Sequence, residues 1–76
     1  MRKPTTTTYR AKSGQRQYKP SIEFCMAMSH EGQGFCLACG TVNDNIEPDA
    51  RRYVCEYCNA PKVYGAEELA LLGLTF

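Results

Sequence analysis

Four cysteines stand in two Cys-x-x-Cys pairs, Cys36 with Cys39 and Cys55 with Cys58, and fifteen residues separate the pairs. Two intervening residues let a tight turn aim both sulfurs of a pair at one point. The longer gap is enough for the chain to return the second pair opposite the first. This C-x2-C-x15-C-x2-C spacing is that of a four-thiolate metal site. Zn²⁺ is the ion that takes such a set tetrahedrally, with metal–sulfur bonds of about 2.3 Å. A zinc closed by four thiolates has no open position for water or substrate, so the chemistry expected is structural rather than catalytic. A redox Cys-x-x-Cys would sit at a helix N-terminus within a βαβ unit, which a chain of 76 residues carrying a second pair has little room to build.

Each pair must be held by a turn that reverses within a few residues. Gly40 follows the second cysteine of the first pair, and Asn59 holds the same place in the second. Glycine enters the left-handed region at no steric cost, and asparagine tolerates it next best. The words Phe-Cys-Leu-Ala-Cys-Gly and Val-Cys-Glu-Tyr-Cys-Asn therefore read as two copies of one knuckle. Short strands should feed them, at Arg51–Val54 and Lys62–Tyr64. Asn43-Asp44-Asn45 and Pro48-Asp49 mark turns at the tip of the excursion between knuckles.

A helix is expected from about Ala66, capped by Gly65, with Glu67 and Glu68 in the first turn where the helix dipole favours anions. Glu68 at the third position is placed to reach back to the N-cap amide, and Tyr64 to staple onto Leu69. Gly73 ends the helix, and Leu74 falls where a Schellman contact to Leu69 would lie. Leu69, Leu71, Leu72, Leu74 and Phe76 either complete the core or form a partly exposed apolar patch for dimerisation or a protein partner.

The segment 20–30, PSIEFCMAMSH, carries both an alternating and a helical pattern. Ser21 as N-cap and the Met and Ala content favour a helix of about two turns, with Ile22, Cys25, Met26 and Ser29 on one face. Cys25 is read as a small buried hydrophobe and His30 as an exposed loop residue. Before it, residues 1–19 hold six cations and no acid, whereas residues 20–76 hold three cations and eight acids. The overall charge of +1 thus conceals a basic arm on an acidic core. The arm has almost no aliphatic side chains and is expected to be disordered, although Thr5–Thr8 and Tyr9 have strand propensity. Arg2, Lys3, Arg10, Lys12, Arg16 and Lys19 could neutralise phosphates while Tyr9 and Tyr18 stack on bases. Arg51 and Arg52 are expected to neutralise Glu47, Asp49 or the anionic metal centre rather than touch phosphate.

FCLACG, RRYVCEYCNAPKVYG, the E-P-D-A-R-x-Y segment and the Y-G-A-E-E-L ending together resemble a zinc ribbon. They are most similar to the short zinc-ribbon proteins of tailed bacteriophages and prophages. The resemblance spans about Gly34 to Leu72. It implies two knuckles on an antiparallel sheet of about three strands, one structural Zn²⁺ on Cys36, Cys39, Cys55 and Cys58, and no catalytic residue.

The fold expected is a small metal-stabilised α+β domain: disordered arm over 1–19, short helix and linker over 20–33, zinc ribbon with C-terminal helix over 34–76. No Ser/His/Asp set, paired acids or phosphate loop suggests an enzyme. MRKPTTTTYR lacks the apolar core of a signal peptide, and no run nears the roughly 18 apolar residues of a membrane span, so a cytoplasmic protein is expected, in the host if phage-encoded. The role expected is a binding module that docks a host or phage protein complex through its acidic core and apolar C-terminal helix. The alternative is a nucleic-acid-binding or transcription-associated ribbon that uses the basic arm. Neither reading involves a membrane or a small-molecule substrate.

Overall fold

From Thr6 onward, the arm expected to be disordered is instead a hairpin. The computed structural model describes residues 5–76, and within them Thr6–Arg10 (β1) pairs antiparallel with Arg16–Pro20 (β2). Composition alone missed what offsets the ordering entropy, which is docking onto the rest of the chain. The Tyr18 amide donates to the Leu37 carbonyl at 2.8 Å, Pro20 is fully buried, and the Tyr18 ring packs on the core. Gln17 is buried as well, and its side-chain oxygen accepts from the Tyr9 hydroxyl at 2.7 Å. Arg2 and Lys3 lie outside the described residues.

Ile22–Glu31 (α1) is a helix, as the Ser21 cap predicts: the Ser21 hydroxyl oxygen accepts from the Phe24 amide at 3.1 Å. It runs to ten residues, longer than the two turns expected, and ends on Gly32 in the left-handed conformation. His30 is exposed in its last turn rather than in a loop. The expected face is formed, since Ile22, Cys25, Met26 and Ser29 line one groove, but the core takes only part of it. Cys25 and Met28 are buried, while Ile22 and Met26 remain exposed. Apolar residues ring most of this helix, so its periodicity could not choose a side; contact with the second helix and the sheet does.

Four strands, rather than about three, form the second sheet. They are Gly34–Cys36 (β3), Val42–Asn43 (β4), Tyr53–Val54 (β5) and Pro61–Gly65 (β6), in the order β4-β3-β6-β5 and antiparallel throughout. Phe35 opposes Tyr64 and Cys36 opposes Val63, so β3 and β6 form the spine that carries both Cys turns. Gly65 must be glycine for reasons of space: a Cβ there would collide with backbone atoms of Glu47 and Pro48.

Ala66–Leu71 (α2) begins at the residue expected, with Gly65 as N-cap. Its end is a Schellman closure. The Leu74 amide donates to the Leu69 carbonyl at 2.9 Å and the Gly73 amide to Ala70 at 3.2 Å, with Gly73 at φ 70°. Glu68 does not reach back to cap the helix; its buried carboxylate pairs with Arg51 Nε at 2.6 Å. Arg51 is thus engaged by Glu68 and not by Glu47, whose carboxylate accepts from the Tyr53 hydroxyl.

Two apolar clusters result. Cys25, Met28, Phe35, Leu37, Ala66 and Leu69 form the larger, with Tyr18, Phe24, Val42, Tyr64 and Leu74 packed around it. Cys36, Cys55 and Val63 form the smaller, flanked by Cys39 and Ile46. The last residues close the assembly: the Phe76 amide donates to Pro20 at 3.1 Å, and the Ile22 amide to Phe76 at 2.8 Å. Among the described residues, no helix is long and apolar enough to cross a membrane.

Candidate metal centre

Strand β3 delivers Cys36 and strand β5 delivers Cys55, each into the same turn. In the first, the Gly40 amide donates to the Cys36 carbonyl at 2.8 Å and the Cys36 amide to Thr41 at 3.0 Å. In the second, Asn59 donates to Cys55 at 3.0 Å and Cys55 to Ala60 at 2.9 Å. Gly40 and Asn59 take φ 75° and 63°, the left-handed positions that each turn requires. The near-identical hydrogen bonding makes the two turns structural copies, as their sequence echo predicts.

The four sulfurs all lie within 4.8 Å of one another. Cys36 Sγ is 3.6 Å from Cys58 Sγ, and Cys39 Sγ is 3.7 Å from Cys55 Sγ. A tetrahedron with metal–sulfur bonds of about 2.3 Å has edges of about 3.8 Å, so the spacing fits a four-coordinate ion. It is far too long for a disulfide, whose S–S bond is about 2.05 Å. The thiol set fits too, because four soft donors suit a tetrahedral ion of the zinc type. Cys36, Cys39, Cys55 and Cys58 can therefore hold one metal ion. Cys36 and Cys55 are buried, Cys39 is partly covered, and Cys58 faces solvent.

The surroundings set each sulfur's proton affinity. Burial pushes the Cys36 thiol up to about 12, against the pull of the Cys39 and Ala38 amides. Burial also acts to raise Cys55. There the amides of Cys58 and Tyr57, the Asn43 side chain and Cys39 together outweigh it, leaving Cys55 lowered to about 6. The Tyr57 amide donates to Cys55 Sγ at 3.4 Å and Asn43 Nδ2 at 3.6 Å. Amide dipoles aimed at sulfur favour thiolate over thiol, which is the form a metal needs.

Asn43 is the residue that sequence reasoning missed, since in the sequence it marks only a turn. It is buried in β4, donates to Thr41 O at 3.3 Å as well as to the sulfur, and accepts from the Glu56 amide at 2.9 Å. It ties the first turn's exit strand to the second turn. The available signal was an amide residue in a short strand four positions after a ligand.

The remaining candidates disperse. Cys25 is remote from the centre; its thiol donates to the Ala66 carbonyl at 3.0 Å between the helices, and burial raises its pKa. His30 takes no part in the cluster. Arg10, Lys12 and Arg16 are exposed on the hairpin, and Lys19 Nζ lies 5.4 Å from the Tyr9 ring centroid. Tyr18 is not available to stack on a base, since its ring packs on the core and under Gly40. Leu69 and Leu74 serve the core, whereas Leu71, Leu72 and Phe76 are exposed. Comparisons with protein-family models, with curated proteins and with solved structures returned no match.

Proposed function

We propose that the ion is Zn²⁺, that it is structural, and that the sheet with its two Cys turns is a zinc ribbon serving as the scaffold of a protein-docking module. The docking face we assign is the groove between α1 and α2. The observation that carries this reading is an apolar groove of about 200 Å³ lined by Ile22, Cys25, Met26, Ser29, Ala66, Glu67 and Ala70. Ile22 and Met26 keep 55% and 61% of their surface exposed there, although Cys25 and Met28 of the same helix are buried in the adjacent core. Unbranched Met adapts to varied apolar partners. Glu67 at the groove and the acidic excess of residues 20–76 select a cationic partner. The occupant is therefore an amphipathic helical segment whose apolar row enters the groove and whose Lys and Arg flank it.

A labelled cationic amphipathic peptide and a glutamate-bearing peptide of the same apolar pattern test this against metal-loaded protein by fluorescence anisotropy. The cationic peptide should bind, and the Ile22→Glu/Met26→Glu variant should lose at least about tenfold in affinity with its metal content unchanged. Equal binding of the two peptides, or undiminished binding by the variant, would exclude the groove.

A further inference from the structure

We infer that the tip of the β1–β2 hairpin, with Lys62 across the adjoining cleft, binds the phosphate backbone of duplex nucleic acid. Arg10 and Arg16 are direct partners in the last register pair of the hairpin, so both side chains leave the same face at its tip. Like charges directly opposite one another destabilise a strand pair. Lys12 lies in the connecting loop between them. Among the described residues none of these three, nor Lys62, forms an ion pair, and the stretch 6–20 contains no acid at all. A bound polyanion relieves the repulsion that the free hairpin sustains.

The support under these cations is fixed. The Ala11 amide donates to Gln15 and the Gly14 amide to Ala11, both at 2.9 Å, so the loop has a defined path. Ordered cations lose less freedom on binding than those of a flexible tail. Beside the tip, a cleft of about 550 Å³ runs between the hairpin and the two Cys turns, lined by Gln15, Arg16, Gln17, Ala38, Pro61 and Lys62 among others, with no carboxylate. Arg16 from the hairpin and Lys62 from β6 bracket it, and Gln15 supplies amide donors.

Duplex is favoured over single strand by what the hairpin lacks. Single-strand sites offer exposed aromatic faces to bases. Here Tyr18 is packed on the core, and Tyr9 is covered by Lys19 and hydrogen-bonded to Gln17. A two-stranded ribbon, in contrast, fits the roughly 12 Å major groove of B-form DNA. The acidic remainder of the chain is repelled by phosphate, which leaves the hairpin as the leading edge. This site lies apart from the α1–α2 groove and stands or falls independently of it.

Fluorescence anisotropy on the metal-loaded full chain tests it with a mixed-sequence DNA duplex, the corresponding single strand and poly-glutamate. Four phosphate contacts give a log–log salt slope of about −3.6 for duplex, or a loss of roughly a hundredfold between 50 and 200 mM salt. Arg10→Gln/Arg16→Gln should reduce the slope by about 2 and Lys62→Gln by about 1, each with metal content unchanged and the melting temperature not lowered. Unaltered affinity and slope in both variants, tighter binding to the single strand, or equal binding to poly-glutamate would each overturn the inference.

Discussion

At the scale of single residues, the amide of Asn43 does more than its turn-forming type suggests. It is buried, it donates toward Cys55 Sγ, and it accepts the Glu56 amide from the second Cys turn. Removing it leaves the part-buried Glu56 N–H without an acceptor and Cys55 Sγ without one of its donors, a loss of about 1 kcal/mol. Groups that orient a metal ligand typically contribute about 10–100-fold to metal affinity. Asn43→Ala is therefore expected to lower both the melting temperature and the metal affinity, read by chelator competition. Asn43→Asp separates the two roles. It keeps an acceptor for Glu56 but sets a carboxylate against an anionic centre, so it should bind metal more weakly than Asn43→Ala. The reverse order would show that the acceptor side of the amide is what matters. Arg51 and Glu68 are a lesser case, because the arginine is largely exposed and water screens the pair.

Among the elements, α2 shows how six residues can be held. Alone, a helix of that length does not persist in water. It is kept by the Schellman closure at Gly73, by the Glu68 amide donating to the Pro48 carbonyl at 3.1 Å, and by Leu69 in the core. Leu69→Ala should cost about 2–5 kcal/mol, a large part of what a domain of this size has. Leu71, two residues on and 81% exposed, should tolerate the same change within about 0.5 kcal/mol. Denaturant melts of the metal-loaded protein check the contrast; similar losses at both positions would contradict the assignment of faces. Both leucines look alike in sequence, and this marks where legibility ends. Features fixed by local backbone demands could be read: the two Cys turns from Gly40 and Asn59, the start of α1 from Ser21, the closure of α2 from Gly73. Features set by distant partners could not. The docking of Tyr18 depends on Leu37 and Gly40, the buried side of α1 depends on α2 and β3, and the bond from Asn43 to Cys55 spans twelve positions. The basic arm illustrates the same limit, since its composition describes a chain in isolation and its hairpin is ordered by contact.

For the whole molecule, the two clusters divide the dependence on metal. The helical cluster holds large apolar side chains, whereas two of the three fully buried residues of the second cluster are the candidate ligands Cys36 and Cys55 themselves. Without an ion, residues 36–60 have almost no core of their own, so chelation should strip their amide-exchange protection first and lower the melting temperature of the rest through β3 and β6. Acidification should do the same, and the sign follows from the sulfurs. Every bound thiolate is held in competition with protons, so affinity falls as pH falls. Cys36, pushed up to about 12, carries a proton in the metal-free protein at neutral pH and must release it on binding at any pH below that. Cys55, lowered to about 6, is already a thiolate at pH 7 and releases none there. Its depressed value also stabilises the metal-free fold above the ordinary thiol pKa of about 8.5, a contribution lost as pH falls through about 6. Below about pH 6, Cys55 takes up a proton that metal must displace, and the slope of log affinity against pH should steepen by about one unit. Chelator competition across pH 5 to 8, with calorimetric measurement of protons released, reads this directly. A slope that stays constant through the range would mean that the amides around Cys55 do not hold it as a thiolate, and that the second turn is organised only when the ion arrives.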